Sequence, residues 1–176
     1  MWFKFLLIIP LFYLFALLQN SFFIYFNFFG AVPNLVFILY FTLIFFDKKD
    51  SYYSAIFYAI LAGLFLDVFS AYRLGISVVL LIIIGLLIKK TQSSLNEKND
   101  NYPFAYFITL FLASFIIYNL LLKISLYFLN PNFIALTLSF KFLAGIIYSL
   151  FFSAIGFYIS KKLLGLAENN KKNKFF

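Results

Sequence analysis

The sequence predicts an all-α, polytopic bundle of transmembrane helices, and three observations predict it. Of the 176 residues, 65% are hydrophobic and 24% aromatic. Only 11% are charged, against about 25% in an ordinary soluble domain, and so few charges cannot clothe a chain of this size in water. Finally, charges, prolines and polar clusters divide the chain into apolar runs close to the roughly 20 residues that a bilayer core of about 30 Å requires. Phe and Tyr, 29 and 13 residues, dominate the apolar content, and we read this mainly as compositional bias among lipid-compatible residues.

Division at those boundaries gives six spans. The first runs from about Phe5 to Phe26, with Pro10 near its start. The second opens after Pro33-Asn34 and stops at Asp47, which is short unless it begins a few residues earlier. The third runs from Tyr52 to about Phe69 and the fourth from Gly75 to Ile88. The fourth falls short of a full crossing unless residues 71–74 are already helical, so a five-span count stays open. The fifth begins after Pro103 and ends near Lys123. The sixth lies between Pro131 and Lys161, longer than needed, so that its first turns can rest on the outer interface.

Orientation follows from the distribution of Lys and Arg. Lys4, Lys48-Lys49, Lys89, Lys90 and Lys98, and the tail lysines Lys161, Lys162, Lys171, Lys172 and Lys174 fall on one side; Arg73 and Lys123 fall on the other, with Lys141 ambiguous. Both termini are therefore expected in the cytoplasm. The first apolar stretch is too long for a secretory signal and lacks a small-residue cleavage pattern, so it is expected to be retained as an anchor. Residues 1–166 are expected to form one transmembrane domain. Residues 167–176, rich in Lys and Asn, are expected to be a solvated, disordered cytoplasmic tail able to rest on anionic lipid.

The few polar residues inside apolar spans carry most of the functional information. Asp67 lies 15 residues beyond Tyr52, or roughly 22 Å along a helix, in the outer part of the membrane. It continues a row at spacing four, Ala55, Ala59, Gly63 and Asp67, whose other members are small enough for a second backbone to approach closely. Lys141, Gly145, Ser149 and Ser153 form a second such row in the sixth span. We expect the third and sixth helices to pack on these rows and Asp67 to be neutralised by Lys141 or by Arg73. The plainer readings are that Asp67 caps a helix end or sits at the interface, and that Lys141 snorkels to the headgroups. Asn34 and Asn119 can hydrogen-bond between helices. Ser70 can bond backbone groups freed at the end of the third span, and Gly75 can relax the tight turn into the fourth.

No catalytic constellation is present. The chain has no cysteine and no histidine, which removes disulfides, thiol nucleophiles, the usual zinc sites and the usual proton relay at physiological pH. Asp47, Asp50, Glu97, Asp100 and Glu168 fall in cytoplasmic loops or the tail without a second buried acid. A phosphate-cradling glycine loop with an adjacent lysine is also missing. No enzyme activity, metal or cofactor is expected, and the basic clusters are read as orientation signals rather than nucleic-acid contacts.

The segment from Val32 to Ile88 resembles the rod shape-determining MreD family, small bacterial inner-membrane proteins. The resemblance rests on Pro33-Asn34-Leu35 opening the second span, on Gly63, Leu66-Asp67 and Ser70 closing the third, and on Leu74-Gly75 opening the fourth. Chain length, span count and short loops agree over the rest, while the sixth span cannot be aligned by motif. The resemblance implies a non-enzymatic scaffold of the cell-elongation machinery in the cytoplasmic membrane. It further implies partnership with a bitopic MreC-like protein and, through it, with an MreB-like filament and the peptidoglycan polymerase RodA with its transpeptidase. Because that fold is thought to resemble the substrate-binding membrane subunits of energy-coupling-factor vitamin transporters, a vitamin-binding subunit is the alternative. Asp67, Arg73, Asn119, Lys123 and Lys141 would then converge on a small-ligand pocket.

Overall fold

A computed structural model describes residues 2–47, 51–70, 74–94, 104–129 and 140–172, with backbone alone at 2–5 and 164–172. Among them are six α-helices: α1 (Trp2–Leu17), α2 (Leu35–Phe46), α3 (Tyr52–Val68), α4 (Ile76–Ser94), α5 (Phe104–Leu129) and α6 (Phe140–Lys172). The division into six helices therefore holds in number, and its boundaries move for physical reasons. Three helices, Ile76–Ser94, Phe104–Leu129 and Phe140–Leu163, are long and apolar enough to cross a membrane, while α1, α2 and α3 are shorter apolar helices. The protein is an all-α membrane helix bundle.

The first span ends early. Its α-helix passes into a π-helical stretch, Leu18–Phe22, where the polar run Gln19-Asn20-Ser21 competes for backbone bonds. Asn20 Nδ2 donates to the Ala16 carbonyl at 2.9 Å. The chain then turns through a tight hairpin in which Phe28 and Ala31 exchange backbone hydrogen bonds of 3.0 and 2.9 Å. Both central residues of that turn, Phe29 and Gly30, have positive φ, 51° and 75°.

Helix α2 does not lengthen to span a bilayer. Its 12 residues cover about 18 Å. All but Leu43 and Phe46 are buried, and α2 touches each of the other five helices. Being apolar on every side is what a central helix requires. Phe37, Phe41 and Phe45, spaced by four, interdigitate with Phe107, Phe111 and Phe115 of α5. The centroids of Phe41 lie 5.2 Å from those of both Phe107 and Phe111, and Phe45 meets Phe107 at 4.9 Å. These edge-on pairs are worth about 0.5–1.5 kcal/mol each beyond their area. The phenylalanines read above as compositional bias are in part a specific zipper.

Helices α3 and α4 form the opposite kind of contact, backbone against backbone. The α4 helix starts only at Ile76, with Leu74-Gly75 in the turn before it. It gains its length at the other end, running through Lys89 and Lys90 to Ser94. Helix α5 likewise continues past Lys123 to Leu129. Helix α6 begins at Phe140 rather than near Pro131 and runs to Lys172. Part of the expected disordered tail is therefore helical. Lys48, Lys49, Arg73, Lys98, Pro103, Pro131 and Lys174 lie outside the described residues.

Direct contacts fix how the helix ends are grouped. Val36 at the start of α2 meets Gln19, Ser77 at the start of α4 meets Asp67, and Lys123 of α5 meets Phe142 of α6. These gather one end of the bundle, the Asp67 end. At the other, lysine end, Lys89 of α4 reaches the last turn of α2, and Phe157 of α6 packs on Phe46 and Phe104.

Candidate functional site

Asp67 is 1% exposed, and its location follows from the row that carries it. Ala55, Ala59, Gly63 and Asp67 are all buried, and the face they form lies on α4. A Cβ placed on Gly63 would stand 2.4 Å from Val78 Cα and 2.6 Å from Val78 N. Only a residue without a side chain permits that approach. Close packing brings the Asp67 carboxylate over the first turn of α4, where backbone N–H groups have no intrahelical acceptor. The Gly75 N–H donates to Oδ2 at 2.6 Å and the Ser77 N–H donates to Oδ1 at 3.1 Å. A carboxylate at a helix N-terminus also meets the positive end of the helix dipole. Ser70 closes the corner, donating from Oγ to the Asp67 carbonyl at 3.2 Å. Gly75 has φ +101°, so glycine is needed for the turn itself.

The expected α3–α6 pairing is overturned. Among the described residues these two helices make no contact, because α2 occupies the centre and α4 covers the small-residue face of α3. Nor is Lys141 the partner of Asp67. Its stem lies beside Gly30 of the hairpin, where an added Cβ would sit 3.3 Å from Lys141 Cε. Asp67 caps a helix, as its plainer reading held, but the helix is the following one. Arg73 lies outside the described residues.

The α6 row serves α2 and the hairpin. Gly145 faces Ala31, with 3.8 Å between a built Cβ and the alanine methyl. Ser149 and Ser153 are fully buried. The Asn34 N–H donates to Ser149 Oγ at 3.1 Å, whereas Ser153 Oγ donates to Leu150 O within its own helix at 2.8 Å. Pro33 is buried immediately before. Asn34 Oδ1 accepts from the Phe37 N–H at 3.0 Å, an N-cap on α2. Gln19 Oε1 accepts from the Val36 N–H at 3.3 Å. The first turn of the central helix is thus capped by its own asparagine and by a second side chain from α1's π-helical extension. Asn119 bridges no helices among the described residues; its Nδ2 donates to Phe115 O of its own helix at 2.8 Å.

The other end of α2 is capped just as thoroughly, by residues the sequence reading placed in a loop. Lys89 and Gln92 of α4 are both fully buried. Lys89 Nζ donates to the carbonyls of Ile44 at 2.9 Å and Asp47 at 3.3 Å, and Gln92 Nε2 donates to Phe45 O at 3.1 Å. A cation at a helix C-terminus complements its dipole. The signal available in the sequence was spacing: Lys89 and Gln92 follow Leu81, Ile84, Gly85 and Ile88 on one buried helical face. Tyr40 was also missed. Its hydroxyl donates to Leu81 O at 2.5 Å, in room left by Gly85, where a Cβ would meet Tyr40 Oη at 2.6 Å.

Around the capped start of α2 lies a recess with two lobes. Gln19, Asn34 and Asn119 line both. The smaller lobe, ≈ 170 Å³, is closed by Ser70, Ser77 and Tyr118. The larger, ≈ 350 Å³, holds Lys123 and Lys141 with Ala31 and Gly145. The structure therefore brings Asn34, Ser70, Asn119, Lys141 and Gly145 around one recess while leaving Asp67 buried behind it.

A family model described as rod shape-determining protein MreD matches residues 2–155 of the chain. Comparisons with curated proteins and with solved structures found no match.

Proposed function

The chain belongs to the rod shape-determining MreD family, and from that premise we propose that it is a non-enzymatic scaffold of the bacterial cell-elongation complex, supporting peptidoglycan synthesis. The observation that carries this reading is the use made of its buried and half-buried polar side chains. Asp67, Lys89, Gln92 and Asn34 each bind backbone groups at a helix end. Such groups build a rigid bundle and are not poised to move a proton or attack a carbonyl. On this reading the bundle crosses the cytoplasmic membrane several times, with both termini and the lysine end inside. Its apolar outer faces hold the membrane segment of a bitopic MreC-like protein, and through it the chain serves an MreB-like filament and RodA with its transpeptidase. Deletion in a rod-shaped host rounds the cells, and a coiled-coil bitopic protein encoded directly upstream co-purifies with the chain. Rods of normal shape after clean deletion refute the proposal.

One observation favours a second reading, the vitamin-binding subunit of an energy-coupling-factor transporter. The two-lobed recess lined by Gln19, Asn34 and Asn119 is of the size and polarity of a small-ligand site. Stabilisation of the purified chain by one member of a vitamin panel in a thermal-shift assay would select that reading.

A further inference from the structure

The larger lobe of the recess has a definite chemistry. Lys123 and Lys141 line it, and among the described residues no acidic side chain does. Lys123 Nζ stands 4.8 Å from the centroid of the Phe142 ring, and the stem of Lys141 runs beside Gly30, where a Cβ would approach Cε to 3.3 Å. Two of the three lining amides are oriented as donors. Gln19 Oε1 and Asn34 Oδ1 accept from Val36 and Phe37, so the NH₂ end of each amide is its donor end. Two cations and two amide donors around ≈ 350 Å³ suit an acceptor-rich anion. Lysine meets phosphate as a point charge and tolerates its several oxygens.

Depth adds a second argument. Lys123 lies six residues before the end of α5 at Leu129, about 9 Å along the helix, and Lys141 is the second residue of α6. Both lysines lie toward the ends of their helices, where long basic side chains of membrane bundles reach headgroups.

We propose that this recess binds a phosphate ester of net negative charge, the phosphate resting between Lys123 and Lys141 with the amides of Gln19 and Asn34 as donors. The inference requires only a membrane bundle and stands apart from the elongation reading. The test uses the full chain in an uncharged detergent, titrated by native mass spectrometry with dioctanoyl-phosphatidylglycerol, dioctanoyl-phosphatidylcholine and glycerol 3-phosphate. At least tenfold tighter binding of phosphatidylglycerol than phosphatidylcholine is expected. The double variant Lys123→Gln/Lys141→Gln should lose at least tenfold in phosphatidylglycerol affinity, the Lys123→Arg/Lys141→Arg variant should keep it, and Lys90→Gln, an exposed lysine at the other end, should change nothing. If glycerol 3-phosphate binds as well as the lipid, the natural source is a soluble ester; if only the lipid binds, it is the membrane. Equal affinity for the two lipids, an unaffected double glutamine variant, or an equal loss with Lys90→Gln overturns the proposal. Should the double variant fail to fold, Lys141→Gln alone, at an exposed position, decides on a threefold loss against none.

Discussion

Gly63 and Gly145 occupy equivalent places in two rows of small residues, yet alanine should have opposite consequences at them. At Gly63 the new methyl would stand 2.4 Å from Val78 Cα and 2.6 Å from Val78 N. Both are backbone atoms, so no rotamer change relieves the overlap, and the helices must part by about 1 Å. A gap of that size forfeits a quarter to a half of the dispersion energy of every contact along the α3–α4 seam, including Ala55, Ala59 and Ala62. It also draws the Asp67 carboxylate away from the Gly75 and Ser77 N–H groups. Overpacking costs roughly 1–3 kcal/mol, and a backbone clash with no outlet belongs at about 3 kcal/mol. That is roughly a hundredfold in the unfolding equilibrium. At Gly145 the nearest neighbour is the Ala31 methyl at 3.8 Å, an ordinary contact. There the gain of about 1 kcal/mol in helix propensity should dominate, leaving the variant as stable as the parent or slightly more so. Reversible unfolding in mixed micelles, followed by helical circular dichroism, measures both. Equal stability of Gly63→Ala and the parent would refute the account of how α3 meets α4.

Three further outcomes follow from the capping network. Replacing Asp67 by Leu strands the N–H groups of Gly75 and Ser77 and should cost about 2–4 kcal/mol, whereas Asn, which keeps one acceptor, should cost about half as much by the same unfolding assay. Lys89→Met uncovers carbonyls at the end of α2 and should cost about 1–3 kcal/mol, with faster amide hydrogen exchange in the last turn of α2 and α4 against no change for Lys90→Met. A double-mutant cycle on Asp67 and Lys141 should return a coupling within about 0.5 kcal/mol of zero, since the two side chains belong to different parts of the structure. A larger coupling would restore the ion pair.

Much of the fold could be read directly because lipid imposes a coarse rule. Apolar runs broken by charges, prolines and polar clusters gave six helices, and α3 was located within a residue or two because the charges at 47–50 and the Asp67–Ser70 corner bound it on both sides. The α4 boundary was misjudged because Lys89 was taken as solvated. A lysine at the end of an apolar run looks the same in sequence whether it points to water or caps a neighbouring helix. The small-residue rows identified close packing, and Gly63 confirms it, but a row names only one side of a contact. The corner residues Asp67, Ser70 and Gly75 were found together, as helix-end chemistry is local in sequence. Gln19, Lys89 and Gln92 were missed because each serves a backbone group of another helix.

Composition and the length of the apolar runs established that the chain is an α-helical membrane bundle, since backbone groups in hydrocarbon must be satisfied within helices or a closed barrel and a barrel's strands are only about half as long. Residue spacing further marked where two of those helices turn back on each other. Only the tertiary structure decided which helix is central, that α4 rather than α6 covers the face of α3, and that Lys141 and Lys123 line a common recess instead of pairing with Asp67. The physical reason is that in lipid the apolar faces are interchangeable. Partner choice then falls to shape, to which helix ends need capping, and to side chains that reach across from distant parts of the chain.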